Sequence, residues 1–425
     1  MPGVQRAASP CQPRLSDRVA IGVLTRTYPP ALVDRVLAEC GRVERRHRLL
    51  PARLVVYYVL ALALFAGVAY EEVLRCLVEG LRGAAWWPNP REPWRAWRIP
   101  AKSALVQARA RLGAEPLRVL FEQAARPLAT DQTQGAWYRG LRVLAIDGTC
   151  LDVADTPANA AAFGRPGTGR GQGVGAFPQV RLVGLAECGT HAITKVAVGP
   201  YTTGELTLTP AVLGGLEPGM LVLADRGLLA VELWRQAKAT GAALVWRAKT
   251  GATGHALPVD RVLADGSWVS RLDAGGHRRR DRRGPVVVRV LDYTIEDPGR
   301  PGHAQRYRLV TSILDPAQAP AAELAALYHQ RWELEGVLDE LKTHQRGPRA
   351  ILRSKTPQGV TQEVYAHLLV HYAIRQLMHQ AALDGQVDPD RVSFVRSLRV
   401  VRRQVMRQAG FSPLAAGPGH HGHDH

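Results

Sequence analysis

Apolar residues recur at helical spacing over the first third of the chain. The segments LVDRVLAECGRV, YEEVLRCLVEGL, SALVQARARLG and LRVLFEQAA place them three or four positions apart, a pattern typical of amphipathic α-helices. This pattern predicts an all-helical N-terminal domain over residues 18–135. A Pro- and Arg-rich tail at residues 1–17 shows no periodicity and is expected to be disordered.

One helical segment, Leu54–Tyr70, carries no charge at all. Its length reaches only the lower limit for a membrane span. Glu71 and Glu72 follow it directly, and the segment before it is amphipathic. We therefore expect a buried helix of the N-terminal domain and no membrane association.

The pattern changes to short extended runs from residue 136. LRVLAI, QVRLVGLAE, HAITKVAVG and MLVLA are followed by a helical segment and a strand-like run, ALVWRAK, which predicts a mixed α/β domain. This domain spans 136–250 and resumes with helices over 320–380, and the runs between them predict a β-rich insertion at 251–319. Residues 381–425 form a basic C-terminal segment and a His-rich tail.

The net charge of the chain bears on the kind of molecule it binds. Lys and Arg total 55 against 37 for Asp and Glu, which gives a formal net charge of +18. Such a surplus favours a polyanion such as DNA, although a basic proteome or a ribosome-associated protein would explain it equally well. The five scattered cysteines predict neither a disulfide framework nor a zinc site. The N-terminus lacks the apolar core of a signal peptide, so we expect a cytoplasmic protein.

Two aspartates follow apolar runs of the α/β domain. Asp147 comes after LRVLAI and Asp225 after MLVLA, and we place both where a strand ends and the chain turns. A single aspartate there is usually a turn former or a helix cap. Two of them on neighbouring strands would direct two carboxylates into one cleft.

A third acidic residue lies in the helical segment after residue 320. At about 100° per residue, Tyr328, Arg331, Glu335 and Lys342 fall within an arc of about 60° beside a row of leucines. A charged stripe on an amphipathic helix is ordinarily its solvated face. This one borders the buried side, where Glu335 could meet the two aspartates. Three carboxylates suit Mg²⁺ or Mn²⁺, and two such ions can drive phosphodiester cleavage.

The spacing of Tyr328, Arg331, Glu335 and Lys342 resembles the YREK signature of IS4-family insertion-sequence transposases. The AIDGT context of Asp147 and the ADRG context of Asp225 strengthen the resemblance, which covers about residues 15–375. It implies an RNase H-like catalytic core of α/β class with a β-rich insertion, and DDE catalysis with Mg²⁺ or Mn²⁺ held by Asp147, Asp225 and Glu335.

The resemblance also implies roles and partners. Tyr328, Arg331 and Lys342 would contact DNA near the cut. The protein would bind the terminal inverted repeats of its element and target DNA, act as a dimer in a synaptic complex, and work at the nucleoid of a bacterial cell. Relatives cleave through a hairpin at the transposon end and support a flipped base with an aromatic residue of the insertion. Trp268 is a candidate for that residue, with a core position as the alternative.

Further basic residues are candidates for DNA contact. They are Arg226 beside Asp225, the insertion arginines Arg278, Arg279 and Arg280, and the arginines of RVSFVRSLRVVRRQVMRQ; a solvated surface is the alternative for each group. The segment WWPNPREPWRAWRIP could stack on DNA, although packing on the helices is the simpler interpretation. A GxGxxA pattern at Gly171 leads into a strand and lacks a P-loop lysine, which excludes nucleotide binding.

Two rival functions stay open at this point. A catalytically silent, domesticated DNA-binding protein would share the fold, but an eroded acidic triad would be expected of it. A metal-dependent nuclease without strand transfer would carry the same three acids.

Overall fold

The computed structural model places helices at both ends of the chain and a large sheet between them. The residues described are 21–43, 49–81, 99–167, 175–251, 254–273, 284–296, 304–329, 332–347 and 350–408. Only the backbone is described at residues 21, 78–81, 332–335 and 404–408. The predicted disordered tail, the tryptophan-rich segment 86–97 and the His-rich end lie outside these ranges.

In the described part of the chain the N-terminal region is helical up to residue 124, with no strand. Its helices are α1 (Ile21–Thr27), α2 (Pro30–Glu39), α3 (Ala52–Leu64), α4 (Tyr70–Leu81), α5 (Lys102–Leu112) and α6 (Glu115–Ala124). The later ones are α7 (Pro157–Phe163), α8 (Glu205–Leu208), α9 (Pro210–Leu213), α10 (Val231–Ala239), α11 (Ala321–His329), α12 (Trp332–Asp339), α13 (Pro357–Asp384) and α14 (Phe394–Gln408), with a π-helix at Glu340–Gln345.

The uncharged run forms α3, which is buried along its length from Leu54 to Leu64. The long helix α13 covers one side of it, and α2, α4 and α5 also pack against it. Because neighbours surround α3, an apolar residue is favoured at every position and no amphipathic stripe is needed. The prediction of a buried helix is confirmed. No helix within the described ranges has the length and apolarity that a membrane crossing requires.

Local sequence signals set the ends of α13. Pro357 occupies the first turn, where its missing N–H costs nothing, and the Thr356 hydroxyl accepts a hydrogen bond from the Gly359 N–H at 3.2 Å. Further along the helix, Leu369 accepts a hydrogen bond at its carbonyl from the buried Tyr28 hydroxyl, at 2.7 Å. The C-terminal helix α13 and the N-terminal helices therefore share one hydrophobic core.

The strands form one mixed sheet of ten strands within the described residues. They are β1 (Trp137–Tyr138), β2 (Leu141–Asp152), β3 (Gln179–Glu187), β4 (Ile193–Pro200), β5 (Met220–Ala224), β6 (Ala243–Ala248), β7 (Arg261–Val262), β8 (Trp268–Leu272), β9 (Val286–Thr294) and β10 (Arg306–Thr311). The order is β4-β3-β2-β5-β6-β10-β9-β8-β7, and β1 pairs with β2. The predicted mixed α/β class is confirmed.

Strand directions divide the sheet into three parts. β2, β3 and β4 are antiparallel neighbours, β2, β5 and β6 run parallel, and β10 joins β6 in antiparallel direction. The strands of the β-rich stretch 251–319 therefore continue the central sheet beyond β6, as an extension of the same hydrogen-bonded ladder.

A buried arginine joins this extension to α11. Arg289 on β9 donates to the Ser267 hydroxyl and to the Ala319 carbonyl, both at 2.7 Å, and pairs with Asp265. Asp265 in turn accepts from the N–H of Ala321, the first residue of α11, at 2.9 Å. Because the Arg289 side chain is fully buried, its charge requires these partners. The start of α11 is thus fixed to the strands before it.

A second buried network holds the π-helix. Glu340 accepts hydrogen bonds from Arg375 at 3.0 Å and from His371 at 3.1 Å, both on α13. Burial raises the pKa of Glu340, but the His371 hydrogen bond and the Arg375 charge outweigh it and lower the pKa to about 2. The network ties the residue that follows α12 to the long helix α13.

We expect Glu340→Gln to lower the free energy of unfolding by about 3 kcal/mol, because it leaves the buried Arg375 without its anionic partner. Since the pKa of Glu340 is depressed in the folded state, its contribution is complete above its ordinary value of 4.5 and is lost as pH falls toward about 2. Urea unfolding of the parent and the variant across this pH range measures both effects.

Glu72→Gln serves as the matched control, because Glu72 forms an exposed ion pair with Arg75 within α4. Such a pair contributes at most about 1 kcal/mol. Equal costs for Glu340→Gln and Glu72→Gln would show that the buried network does not stabilise the fold.

Candidate active site

The pairing of β2 with β5 brings Asp147 and Asp225 to equivalent positions on neighbouring strands. The two strands are parallel, and their last pair is Ile146 with Ala224. Asp147 and Asp225 are the next residues in each chain segment, so they lie side by side at the same edge of the parallel ladder. Both are half-buried.

Side-chain alternation directs both aspartates to one face of the sheet. Val143 and Ala145 of β2, with Leu221 and Leu223 of β5, belong to the core that also contains α11, α12 and α13 residues. Residues two apart on a strand share a face, so Asp147 and Asp225 continue that row. Ile146 and Ala224 face the opposite core, formed with α9 and α10.

The expectation that a strand ends at Asp147 is wrong. β2 continues to Asp152 because β3 pairs with it along this whole stretch, with Asp147 opposite Gly184. Asp147 accepts the Gly148 N–H at 2.9 Å. The chain does turn after Asp225, where the Leu228 N–H donates to the Asp225 carbonyl at 3.0 Å, and Arg226 is exposed in that turn.

The helices after residue 320 lie on the same face as the two aspartates. α12 packs against β2, and it carries Glu335 at a position whose side chain lies outside the described part. Tyr328 on α11 is only 2% exposed, and its hydroxyl donates to the carbonyl of Ala224, one residue before Asp225, at 3.3 Å. The helix that carries Glu335 therefore lies against β2, and the preceding helix α11 lies against the end of β5.

The single helical arc predicted for Tyr328, Arg331, Glu335 and Lys342 is wrong for Lys342. Lys342 lies in the π-helix, which turns by a smaller angle per residue than an α-helix, and it is exposed whereas Tyr328 is buried. Lys342 still lies near β2. Burial raises the pKa of the Cys150 thiol on β2, and the positive charge of Lys342 is one of those that lower it. Arg331 lies outside the described residues.

The other predicted basic contacts are only partly within the described ranges. Arg278, Arg279 and Arg280 lie outside them. On α14, Arg402 donates to the carbonyls of Leu64 and Gln345 at 2.6 and 2.7 Å, so this arginine serves packing. Trp268 is half-buried against the core on the α10 side, with the Arg308 guanidinium 5.4 Å from its ring, which favours the core alternative for its role.

A further carboxylate, next to Gly148 on the face of β2 opposite Asp147, was not found from the sequence. Glu205 on α8 lies against Gly148: a Cβ added to Gly148 would be 2.6 Å from the Glu205 Cδ. Arg181 on β3 donates to Glu205 at 2.9 Å. The only sequence signal was the glycine directly after Asp147, whose missing side chain leaves the space that Glu205 occupies.

An aromatic cluster also escaped sequence analysis. Tyr293 and Tyr307 stack with centroids 5.3 Å apart, and His329 at the end of α11 meets both rings edge-on at 5.5 and 5.7 Å. The Arg247 guanidinium lies 4.4 Å from the Tyr307 ring. The cluster joins β9 and β10 to the end of α11, just before Arg331.

The donor set of this face is suited to a hard divalent cation. Carboxylate oxygens are the ligands that Mg²⁺ and Mn²⁺ prefer. Among the residues with described side chains, no three acidic, histidine or cysteine residues cluster as a metal site, and Glu335 is not one of those residues. Asp147 and Asp225 bring two carboxylates to adjacent positions, and α12, which carries Glu335, packs against one of the same strands, β2.

The chain matches two transposase family models and a transposase of known family. Residues 18–122 match the family described as insertion element 4 transposase N-terminal, and residues 138–372 match the transposase DDE domain. These matches define a DDE transposase. The chain is also 31% identical over 391 residues to transposase InsG for insertion sequence element IS4 of Escherichia coli (strain K12), covering 90% of this chain and 83% of InsG. It belongs to the IS4 family of insertion-sequence transposases.

Two other proteins show weaker similarity. The putative transposase InsZ of the same strain is 26% identical over 198 residues, which is 47% of this chain and 61% of InsZ. A cryo-EM structure of the piggyBac transposase synaptic complex with hairpin DNA aligns over 97% of this chain and 86% of that chain, at 10% identity and a TM-score of 0.45. This score is below the level that establishes a common fold.

We expect Gly148→Ala to lower the free energy of unfolding by about 1–3 kcal/mol, because the new methyl group would displace Glu205 or the strand. In a Glu205→Ala background the cost should largely disappear. Gly227→Ala is the control, since no atom lies within 4 Å of a Cβ added there. Equal costs of Gly148→Ala in both backgrounds, measured by denaturant unfolding, would contradict the contact.

Proposed function

We propose that this transposase cuts DNA at the ends of an IS4-type element and joins those ends to a target, with Asp147, Asp225 and Glu335 holding Mg²⁺, or Mn²⁺ in its place. The observation that carries the proposal is the β2–β5 register, which pairs Ile146 with Ala224 and so sets the two aspartates side by side. The packing of α12 against β2 supports Glu335 as the third member.

The strand order supports an RNase H-like catalytic core. Three antiparallel strands, β4, β3 and β2, are followed by the parallel strands β5 and β6. The strands β7 to β10 extend this core beyond β6, and helices α11 and α12 return to its face. The proposed catalytic residues then lie on the two central strands and on the helix that follows the extension.

The three carboxylates act by holding the ions in fixed positions. Bound divalent ions would lower the pKa of an attacking water or 3′-hydroxyl and offset negative charge on the phosphate. Asp147 and Asp225 are held by the sheet. Glu335 lies on α12, between α11, whose start is fixed through Arg289, and the π-helix, which is fixed through Glu340. Such preorganisation fixes the distance between nucleophile and phosphate.

Basic residues around the carboxylates would hold the DNA strand. Lys342 is exposed near β2, and Arg226 is exposed next to Asp225; both can pair with phosphate oxygens. Arg331 falls between α11 and α12 in sequence and is assigned the same role by the family signature. Tyr328 would meet DNA only if its surroundings open, and its contact with Ala224 supports a second role in holding the strand end beside Asp225.

The partners follow from this chemistry. The net charge of +18 suits a double-stranded DNA ligand through counterion release. We propose the terminal inverted repeats and a target duplex as the two substrates, with two copies of the chain bringing the two ends together.

We expect Asp147→Asn, Asp225→Asn and Glu335→Gln each to abolish Mg²⁺-dependent nicking of a duplex that carries the terminal repeat. Each variant removes a negative charge from the ion site while keeping the shape of the side chain. Gel analysis of labelled strands measures the nicking, and a joined product with target DNA separates a transposase from a nuclease without strand transfer.

Asp152→Asn and Asp339→Asn are matched controls, since Asp152 ends the strand of Asp147 and Asp339 ends the helix of Glu335. Both should cleave at the parental rate. Full cleavage by any of the three triad variants would remove that residue from the site, and a parent that binds DNA but never cuts would indicate a catalytically silent protein.

Lys342→Ala should reduce kcat/KM for cleavage by roughly 10- to 100-fold, the effect of losing one charged hydrogen bond to phosphate. Lys342→Arg should keep most of the rate, because the positive charge is retained. Steady-state cleavage assays measure both variants. An unchanged rate for Lys342→Ala would place this lysine outside the DNA path.

A further inference from the structure

A cavity of about 510 Å³ opens between the N-terminal helices and the start of α13. Its walls come from the start of α4, the length of α5, and the segment 353–362 that leads into α13. The first two lie in the region matched to the IS4 N-terminal family, and the third lies in the region matched to the DDE domain. The cavity therefore lies where the two family-matched regions of the chain meet.

Positive charge dominates the lining of this cavity. Lys102, Arg109, Arg353 and Lys355 line it, against one carboxylate, Glu71. Three of the cations surround a single ring: the Lys102 Nζ, Arg353 Cζ and Arg109 Cζ lie 5.5, 5.1 and 5.8 Å from the centroid of Tyr70. Cations gathered around an aromatic face are stabilised by the ring, and their positive charge is not cancelled.

The hydrogen bonds of Arg109 leave its charge available. Its guanidinium donates to the Gln362 Oε1, the Ser354 hydroxyl and the Tyr70 hydroxyl, at 3.0, 3.1 and 3.2 Å, and all three acceptors are neutral. Among the described residues Glu363, next to the lining, accepts hydrogen bonds only from neutral groups, the Arg353 and Ser354 N–H groups and the Ser354 hydroxyl, so its negative charge offsets part of the positive charge. The lining thus has a net positive charge within the described part of the chain.

The cavity is built by fixed elements. The buried Gln362 donates to the carbonyls of Arg109 and Gly113 at 3.1 and 2.6 Å, which joins the end of α5 to α13. Thr356 caps the 28-residue helix α13 at the cavity wall, so the positive end of the helix dipole adds to the side-chain charges. The two lysines are exposed at the opening, where they are free to meet a large ligand.

We propose that this cavity binds a backbone phosphate of the DNA, and so holds the duplex across the helical region and the catalytic sheet. A phosphodiester is a small anion that suits the cations gathered around Tyr70 and the exposed Lys355. Val106, 48% exposed on the wall, offers an apolar surface for the adjoining sugar. Contacts of this kind fix the register of a duplex without reading its sequence.

This inference rests on the proposed function, since DNA is the ligand, but it concerns binding and not cleavage. Segment 353–356 follows the π-helix and α12 in sequence, and Arg353 donates to the carbonyl of Val68, just before α4, at 2.8 Å. A phosphate held here would set the position of the duplex relative to the segment that carries Glu335.

The test is the salt dependence of DNA binding in EDTA, measured by fluorescence anisotropy with a terminal-repeat duplex. Each lost phosphate contact lowers the slope of log K against log salt by about 1. Lys102→Ala and Lys355→Ala should each weaken binding, roughly tenfold at about 0.1 M salt, and the double variant, which no longer neutralises the single phosphate in the cavity, should lower the slope by about 1. Lys102→Arg and Lys355→Arg should keep the parental slope.

Lys238→Ala is the matched control, because Lys238 is an exposed lysine on α10, against the opposite face of the sheet. Its slope should equal that of the parent. A double variant that binds like Lys238→Ala, with an unchanged melting temperature, would overturn the proposal. A second result would also overturn it: inorganic phosphate stabilises the parent but not the double variant, while both proteins bind DNA with the same salt slope. The cavity would then bind a free anion and not DNA.

Ethylation interference identifies the contact itself. The parent should show a phosphate whose ethylation blocks binding, and the double variant should lose sensitivity at that phosphate while keeping the others. Because EDTA prevents cleavage, failure of the carboxylate triad cannot affect this result. Conversely, Asp147→Asn should bind DNA with the parental slope even though it is expected not to cut.

Discussion

The parallel pairing of β2 with β5 is the constraint on which the site depends. Neither aspartate is distinctive by itself, since each follows a short apolar run. The register pairs Ile146 with Ala224, so the residues that follow them, Asp147 and Asp225, are neighbours. Because side chains alternate between the two faces of a sheet, both aspartates face the same core. Strand spacing then brings two carboxylates close together. A shift of the register by one residue would move one of them to the opposite face.

The helix of Glu335 is held to this pair by buried polar contacts. Arg289 and Asp265 fix the start of α11, and Glu340, paired with Arg375 and His371 of α13, fixes the π-helix that follows α12. Buried charges of this kind cost free energy unless every partner is in place, so they specify one arrangement. α13 also packs on α3, which joins the position of the segment that carries Glu335 to that of the N-terminal helices and of the cavity at Lys102.

The sequence predicted the elements better than their boundaries. Apolar periodicity located the helices up to residue 124, the strands, and the helices after 320, and the acidic triad was proposed from the family signature. Gly148 looked like a turn residue, yet β2 passes through it because β3 supplies partners on the other side. The π-helix depends on Arg375 and His371, which lie far from Glu340 in sequence, and no local pattern encodes it. Glu205 and the cavity likewise arise from contacts between distant segments.

We propose that Asp147, Asp225 and Glu335 form one site for divalent ions. Anomalous diffraction from crystals soaked in Mn²⁺ tests this most directly, since it locates the ion without any assay of cleavage. We expect an anomalous peak bonded to carboxylate oxygens of Asp147 and Asp225, with the Glu335 carboxylate directed toward the same position. Mn²⁺ bound only elsewhere, with these three carboxylates apart, would contradict it.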